Sequence, residues 1–142
     1  MRSGIFMAAA AVATLLAGSA FAEVKHFTAQ LDGMSETPPN DSKGVGSAAV
    51  DLDTETKALT WTVTYSGLSG PATMAHFHGP APVGKAAGVT VPLMGDVSSP
   101  AKGSATLTDA QIDQLESGMW YVNVHTAAHP GGEIRGQVTP AM

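Results

Sequence analysis

Beyond residue 22, polar and apolar positions alternate in short runs separated by turn-forming residues. The clearest run is 57–65. Leu59, Trp61, Val63 and Tyr65 fall on one side of it, and Thr60, Thr62 and Thr64 on the other. A period of two marks a half-buried strand, and these residue types favour extended backbone. Shorter runs predict further strands over 24–31, 45–52, 73–78, 89–94, 103–107, 119–126 and 133–138. Between them lie clusters rich in Gly, Pro, Asn, Asp and Ser at 34–44, 66–71, 79–88 and 127–132, which predict turns and loops. One stretch departs from the strand period. Thr108 followed by Gln111 has capping-box spacing, and Ala110, Ile112 and Leu115 make a small apolar face. A short helix is expected there, ended by Gly118. Seven or eight short strands with one helix predict an all-β fold, an antiparallel Greek-key β-sandwich or barrel. No repeat of 20–50 residues is visible.

The first 22 residues follow a different pattern. Arg2 precedes an apolar run over 5–17 broken only by Thr14, and Ala20-Phe21-Ala22 supplies small residues at cleavage spacing. That order predicts a secretory signal peptide cut after Ala22. It would leave one domain over 23–142, periplasmic or secreted. The apolar run is shorter than the ~20 residues a spanning helix needs, and no later segment is more apolar, so no membrane span is expected. The chain has no cysteine, which excludes thiol catalysis, thiolate metal sites and iron–sulfur clusters. Its net charge is −5, from 7 Lys and Arg against 12 Asp and Glu dispersed along the sequence. An acidic chain without a basic patch is a poor partner for nucleic acid or for an anionic membrane surface.

Metal chemistry then falls to histidine. His76 and His78 sit one residue apart on a predicted strand, so both project from one face, ~6–7 Å apart along the chain. Met74 shares that face, and a thioether beside two imidazoles suits copper better than zinc. His125 ends the strand over 119–126, on the face of Tyr121 and Asn123. His129 lies four residues on, in a turn able to fold back. A site from His76, His78 and His125, with His129 or Met74 as a fourth ligand, would take copper or zinc. Plainer readings stand beside this one. An H-x-H pair is often two surface histidines, Met74 reads first as packing, His129 as a solvated turn residue, and His26 as incidental. Asp51, Asp53 and Glu55 alternate without the spacing of a calcium loop. Glu133 and Arg135 share a face and are expected to pair, with Ile134 and Val138 turned inward.

Three segments carry a resemblance. They are Ala75-His76-Phe77-His78-Gly79-Pro80-Ala81, Tyr121-Val122-Asn123-Val124-His125-Thr126 and Pro130-Gly131-Gly132-Glu133-Ile134-Arg135-Gly136-Gln137. In this order they resemble the CHRD domain, over about residues 24–139. The family is named from chordin and also occurs as single-domain secreted bacterial proteins, the type this chain is similar to. The resemblance implies a β-rich module whose motif histidines are His76, His78 and His125. His129 corresponds to no fixed histidine of the family. A weaker likeness, to Cu/Zn superoxide dismutase, rests on an H-x-H in a Greek-key sandwich. This chain lacks that family's disulfide and zinc loop, which leaves room only for a copper-only site.

Three functions are therefore expected, in this order. The first is an exported, non-enzymatic binding module with a histidine copper site. The second is a metal-free structural or adhesive domain that contacts an extracytoplasmic protein. The third is a copper-only enzyme of the superoxide dismutase type.

Overall fold

The computed structural model describes residues 23–142, so the expected signal segment lies outside the described residues. Eight strands and one helix follow in the order β1 (Val24–Asp32), β2 (Val45–Asp53), β3 (Ala58–Ser66), β4 (Ala72–His78), β5 (Val89–Pro92), β6 (Ala101–Thr106), α1 (Asp109–Glu116), β7 (Trp120–Thr126) and β8 (Ile134–Pro140). All eight strands join one antiparallel sheet, ordered β5-β4-β7-β8-β1-β2-β3-β6. The sheet curls until its distant members meet. Trp61 of β3 and Phe77 of β4, five places apart in that order, pack edge to face with centroids 5.4 Å apart. The result is a nearly closed barrel, as the strand pattern predicts.

The period of two fills this barrel. Phe27, Ala29 and Leu31 of β1, Ala48, Val50 and Leu52 of β2, and Leu59, Trp61 and Val63 of β3 all point inward. Trp120, Val122 and Val124 of β7 meet them from the other side. Each such side chain contributes about 1.5–3 kcal/mol by leaving water. Ile134 and Val138 face inward as expected. Between them Gly136 has no side chain because a Cβ there would strike the Gln30 backbone of β1. Beyond that contact β8 runs on beside β1, with Phe27 opposite Pro140 and the Ala141 N–H bonded to His26 C=O at 2.9 Å.

The helix carries the chain from the edge strand β6 back to β7. Its capping box is formed. Thr108 Oγ1 accepts from Gln111 N–H at 3.2 Å, and Gln111 Oε1 accepts from Thr108 N–H at 2.9 Å. Leu115 is fully buried and Ile112 packs on the core, but Ala110 is exposed. Gly118 ends the helix at φ 73°. β6 starts two residues earlier than its pattern suggests. Its sequence AKGSAT alternates weakly because it is an edge strand with little buried surface.

One expected contact is absent. Glu133 and Arg135 do not pair. Glu133 lies just before β8 and turns toward Ser42, Ser69 and Thr126, while Arg135 pairs with Glu36 at 3.3 Å. The loop between β1 and β2 causes this by folding back over the outside of the sheet. A second loop, 79–88, covers the neighbouring surface: Arg135 donates to Lys85 C=O and Gln137 to Ala81 C=O. Between them the loops bury β7 on both faces, so all seven of its residues are shielded.

Candidate metal centre

The outer face of β4 and β7 carries the expected residues. Strand alternation puts Ala75 and Phe77 inside and leaves Met74, His76 and His78 outside. The same rule puts Tyr121, Asn123 and His125 outside on β7. Pairing sets His76 opposite Asn123, His78 opposite Tyr121 and Met74 opposite His125. Asn123 is in turn opposite Arg135 of β8. The chemistry is therefore assembled across three adjacent strands.

His76, His78 and His125 come together. One ligand nitrogen from each lies within 4.8 Å of the others. His76 Nδ1 and His125 Nε2 are 3.1 Å apart. Metal–nitrogen bonds of 2.0–2.1 Å in a tetrahedron place nitrogens roughly 3.3 Å apart, so this pair is already near ligand spacing and the wider separations would have to close to seat an ion. His129 is not in this group. Its Nε2 lies 4.0 Å from Glu133 Oε1, and its backbone N–H bonds Thr126 Oγ1. Met74 is exposed at the outer margin of the cluster. His26 is elsewhere, paired with Asp51 on the surface.

Hydrogen bonds fix which nitrogens are free. His78 Nδ1–H donates to Ala87 C=O at 3.0 Å, and His125 Nδ1–H donates to Pro130 C=O at 2.9 Å. A carbonyl can only accept, so both Nδ1 atoms carry the proton and both Nε2 atoms present a lone pair. A backbone-anchored Nδ1–H is the usual way a protein orients a metal-binding imidazole.

Asn123 completes the cluster, and no pattern in the sequence singles it out. Its Nδ2 faces Glu36 Oε1 at 3.4 Å, and a carboxylate accepts, so the amide oxygen must face the histidines. Asn123 Oδ1 lies 2.9 Å from His78 Nε2 and 3.0 Å from His125 Nε2. His76 can donate its Nδ1–H to His125 Nε2. With His78 neutral and protonated at Nδ1, no other described residue gives a proton to the gap between His78 Nε2 and Asn123 Oδ1. Two acceptors this close repel unless a proton or a metal ion is shared between them.

The surroundings of His78 disfavour its protonated form. Burial pushes the His78 pKa down from its ordinary value despite the Ala87 and Asn123 oxygens, which favour the charged ring, and the His125 ring and Arg135 charge add to the effect. Burial also lowers His76, with His125 and His78 contributing. Arg135 sits 3.8 Å over the Tyr121 ring, which stacks on His78 with centroids 4.7 Å apart. The Tyr121 hydroxyl accepts from Ala87 N–H and donates to Ala87 C=O, both at 3.1 Å. The layers Arg135, Tyr121 and His78 thus hold the ring in place and disfavour its charged form.

Glu36 is the other residue that sequence reading misses. It is 3% exposed in a loop of turn formers, and it orients Asn123 while pairing with Arg135. The only sequence sign is that Arg135, placed on a strand beside motif residues, needs an acidic partner. Gly132 closes the site at φ 125°, where a Cβ would strike Glu36 Oε1 and Asn123 Nδ2.

These features define an all-β, barrel-like domain with a polar cluster buried on its outer face. Residues 27–138 match the CHRD domain, and the chain belongs to that family. It is similar to chordin of Xenopus laevis, 32% identical over 136 residues. That match covers 89% of this chain and 14% of chordin, so the chain spans a small part of its relative's length. No solved structure matches the chain.

Proposed function

We propose that the protein is an exported, non-enzymatic CHRD module that holds a copper ion through His76, His78 and His125. One observation carries this reading: His78 Nε2 and Asn123 Oδ1, both acceptors, face each other at 2.9 Å inside a cluster of lone pairs. An all-imidazole donor set with an amide oxygen fits copper or zinc. Divalent copper binds such nitrogen and oxygen donors more tightly than zinc does. Export is supported by the signal-like order of residues 1–22. No helix among the described residues is long and apolar enough to cross a membrane.

The site suits holding an ion more than turning over a substrate. His78 and His125 are 8% and 6% exposed, and each is anchored to a backbone carbonyl. Calorimetry and electron paramagnetic resonance of the Cu(II)-loaded protein provide the test. The expected spectrum shows nitrogen hyperfine structure, lost in the His76→Ala/His78→Ala variant. Equal Cu(II) affinity in that variant would remove the site. The metal-free interaction domain predicts instead that chelators and copper leave Tm unchanged. Superoxide dismutation by the copper-loaded protein would favour the enzyme.

A further inference from the structure

The histidine cluster has a soft margin. Met74 is 48% exposed on the face of His76 and His78, and Met94 is 79% exposed. The β4–β5 register pairs His76 with Pro92 and Phe77 with Val91. It continues past the strand end, where Leu93 N–H bonds Ala75 C=O at 3.0 Å. One step further, the same register brings Met94 level with Met74. Leu93 is buried, so alternation turns Met94 to the outer face that Met74 occupies. On its other side Met74 is opposite His125. By register and alternation, two exposed methionines thus fall opposite each other on the strand face that carries His76 and His78. Neither fills a gap in the core, the usual work of methionine.

His76 links this margin to the cluster. It is half-buried, whereas His78 and His125 are buried. It is also the one ring of the three without a backbone hydrogen bond among the described residues. With Nδ1 turned to His125, its Nε2 points the other way. The donors at the margin are then two neutral sulfurs and one imidazole nitrogen. Such a set prefers a soft monovalent d10 ion to Cu(II) or Zn(II), which favour the nitrogen and oxygen donors beneath.

We propose that Met74, Met94 and His76 Nε2 form a second site, specific for Cu(I) and its analogue Ag(I), at the outer edge of the histidine cluster. It deepens the copper reading but shares only His76 with it. Ag(I) is the probe, because it binds thioethers and does not change oxidation state. In the full-length protein labelled at methionine methyl carbons, one equivalent of Ag(I) is expected to shift the Met74 and Met94 signals and leave Met34 in place. The Met74→Leu/Met94→Leu variant alters two exposed side chains of matched size. It is expected to lose about tenfold or more in Ag(I) affinity while binding Cu(II) as the wild type does. Wild-type Ag(I) affinity in that variant, or unmoved methyl signals, would overturn the second site. Failure of wild-type protein to bind Cu(II), with the Ag(I) response intact, would sink the histidine reading and leave this one standing.

Discussion

Asn123 carries no charge, yet its amide sits between a carboxylate and two bare imidazole nitrogens. Glu36 holds the NH2 end, so the oxygen is presented to His78 and His125. Removing that amide in Asn123→Ala should weaken Cu(II) binding by about 10–100-fold, measured by competition with a chelator of known affinity. Glu36→Gln should act at a distance. It leaves Arg135 buried without its partner carboxylate, a change that costs about 3–5 kcal/mol when a buried pair is broken. Urea unfolding reads that loss, and copper affinity should fall with it because Asn123 can then flip. The lowered pKa values of His76 and His78 set the sign of the pH response. Both rings take up a proton less readily than an ordinary histidine, so they compete less with copper than exposed imidazoles would as pH falls. Without metal the unfolded chain takes up protons near 6.5 that the folded site refuses, so metal-free stability should decrease below that pH. A metal-free Tm that stays level or rises as pH is lowered from 7 to 5.5 would contradict this.

Among the elements, β3 and α1 show what local pattern can reveal. The threonines of β3 alternate with Leu59, Trp61 and Val63, which are buried as the period requires, while Tyr65 near the strand end is only half-buried against the core. The capping box at Thr108 is legible because both partners lie within four residues. Thr108→Ala should cost about 1 kcal/mol, seen as a lower urea midpoint at unchanged slope. β7 shows where local pattern stops. Its alternation correctly separates Val122 and Val124 from Asn123 and His125, but nothing in those residues says that loops will cover the second face. The convergence of His76, His78 and His125 was readable as a possibility from the H-x-H and the strand-end histidine. The roles of Asn123 and Glu36 were not, because they depend on a loop 87 residues away in sequence from its contact. For the same reason Glu133 and Arg135, two apart on one face, find partners on other segments. Gly136 is the element-scale weak point. Gly136→Ala would push β8 off the Gln30 backbone and should cost about 1–3 kcal/mol, the usual range for overpacking, with β1 and β8 amides losing hydrogen-exchange protection first.

The whole molecule has no disulfide to secure its loops, and Glu133 performs that task with hydrogen bonds. Its side chain is fully buried and accepts from Ser42, Ser69 and Thr126, which belong to two separate loops and the end of β7. Burial alone would raise its pKa. The hydroxyl donors and the Ser69 amide outweigh burial and hold it near about 2, against 4.5 for a free glutamate. The folded state therefore gains stability from this group above pH 4.5 and loses it as pH falls from 4.5 toward 2. Thermal melts across that window should show Tm dropping, and Glu133→Gln should be less stable at pH 7 with a shallower acid slope. The neighbouring placement of β1 and β8 has a different consequence. Phe27 faces Pro140, so the strand by which the chain enters the barrel lies beside the one by which it leaves. A fold with adjacent entry and exit can be spliced into a larger polypeptide, or strung in tandem, without opening its core. Portability of that kind accords with a domain whose match occupies 14% of chordin.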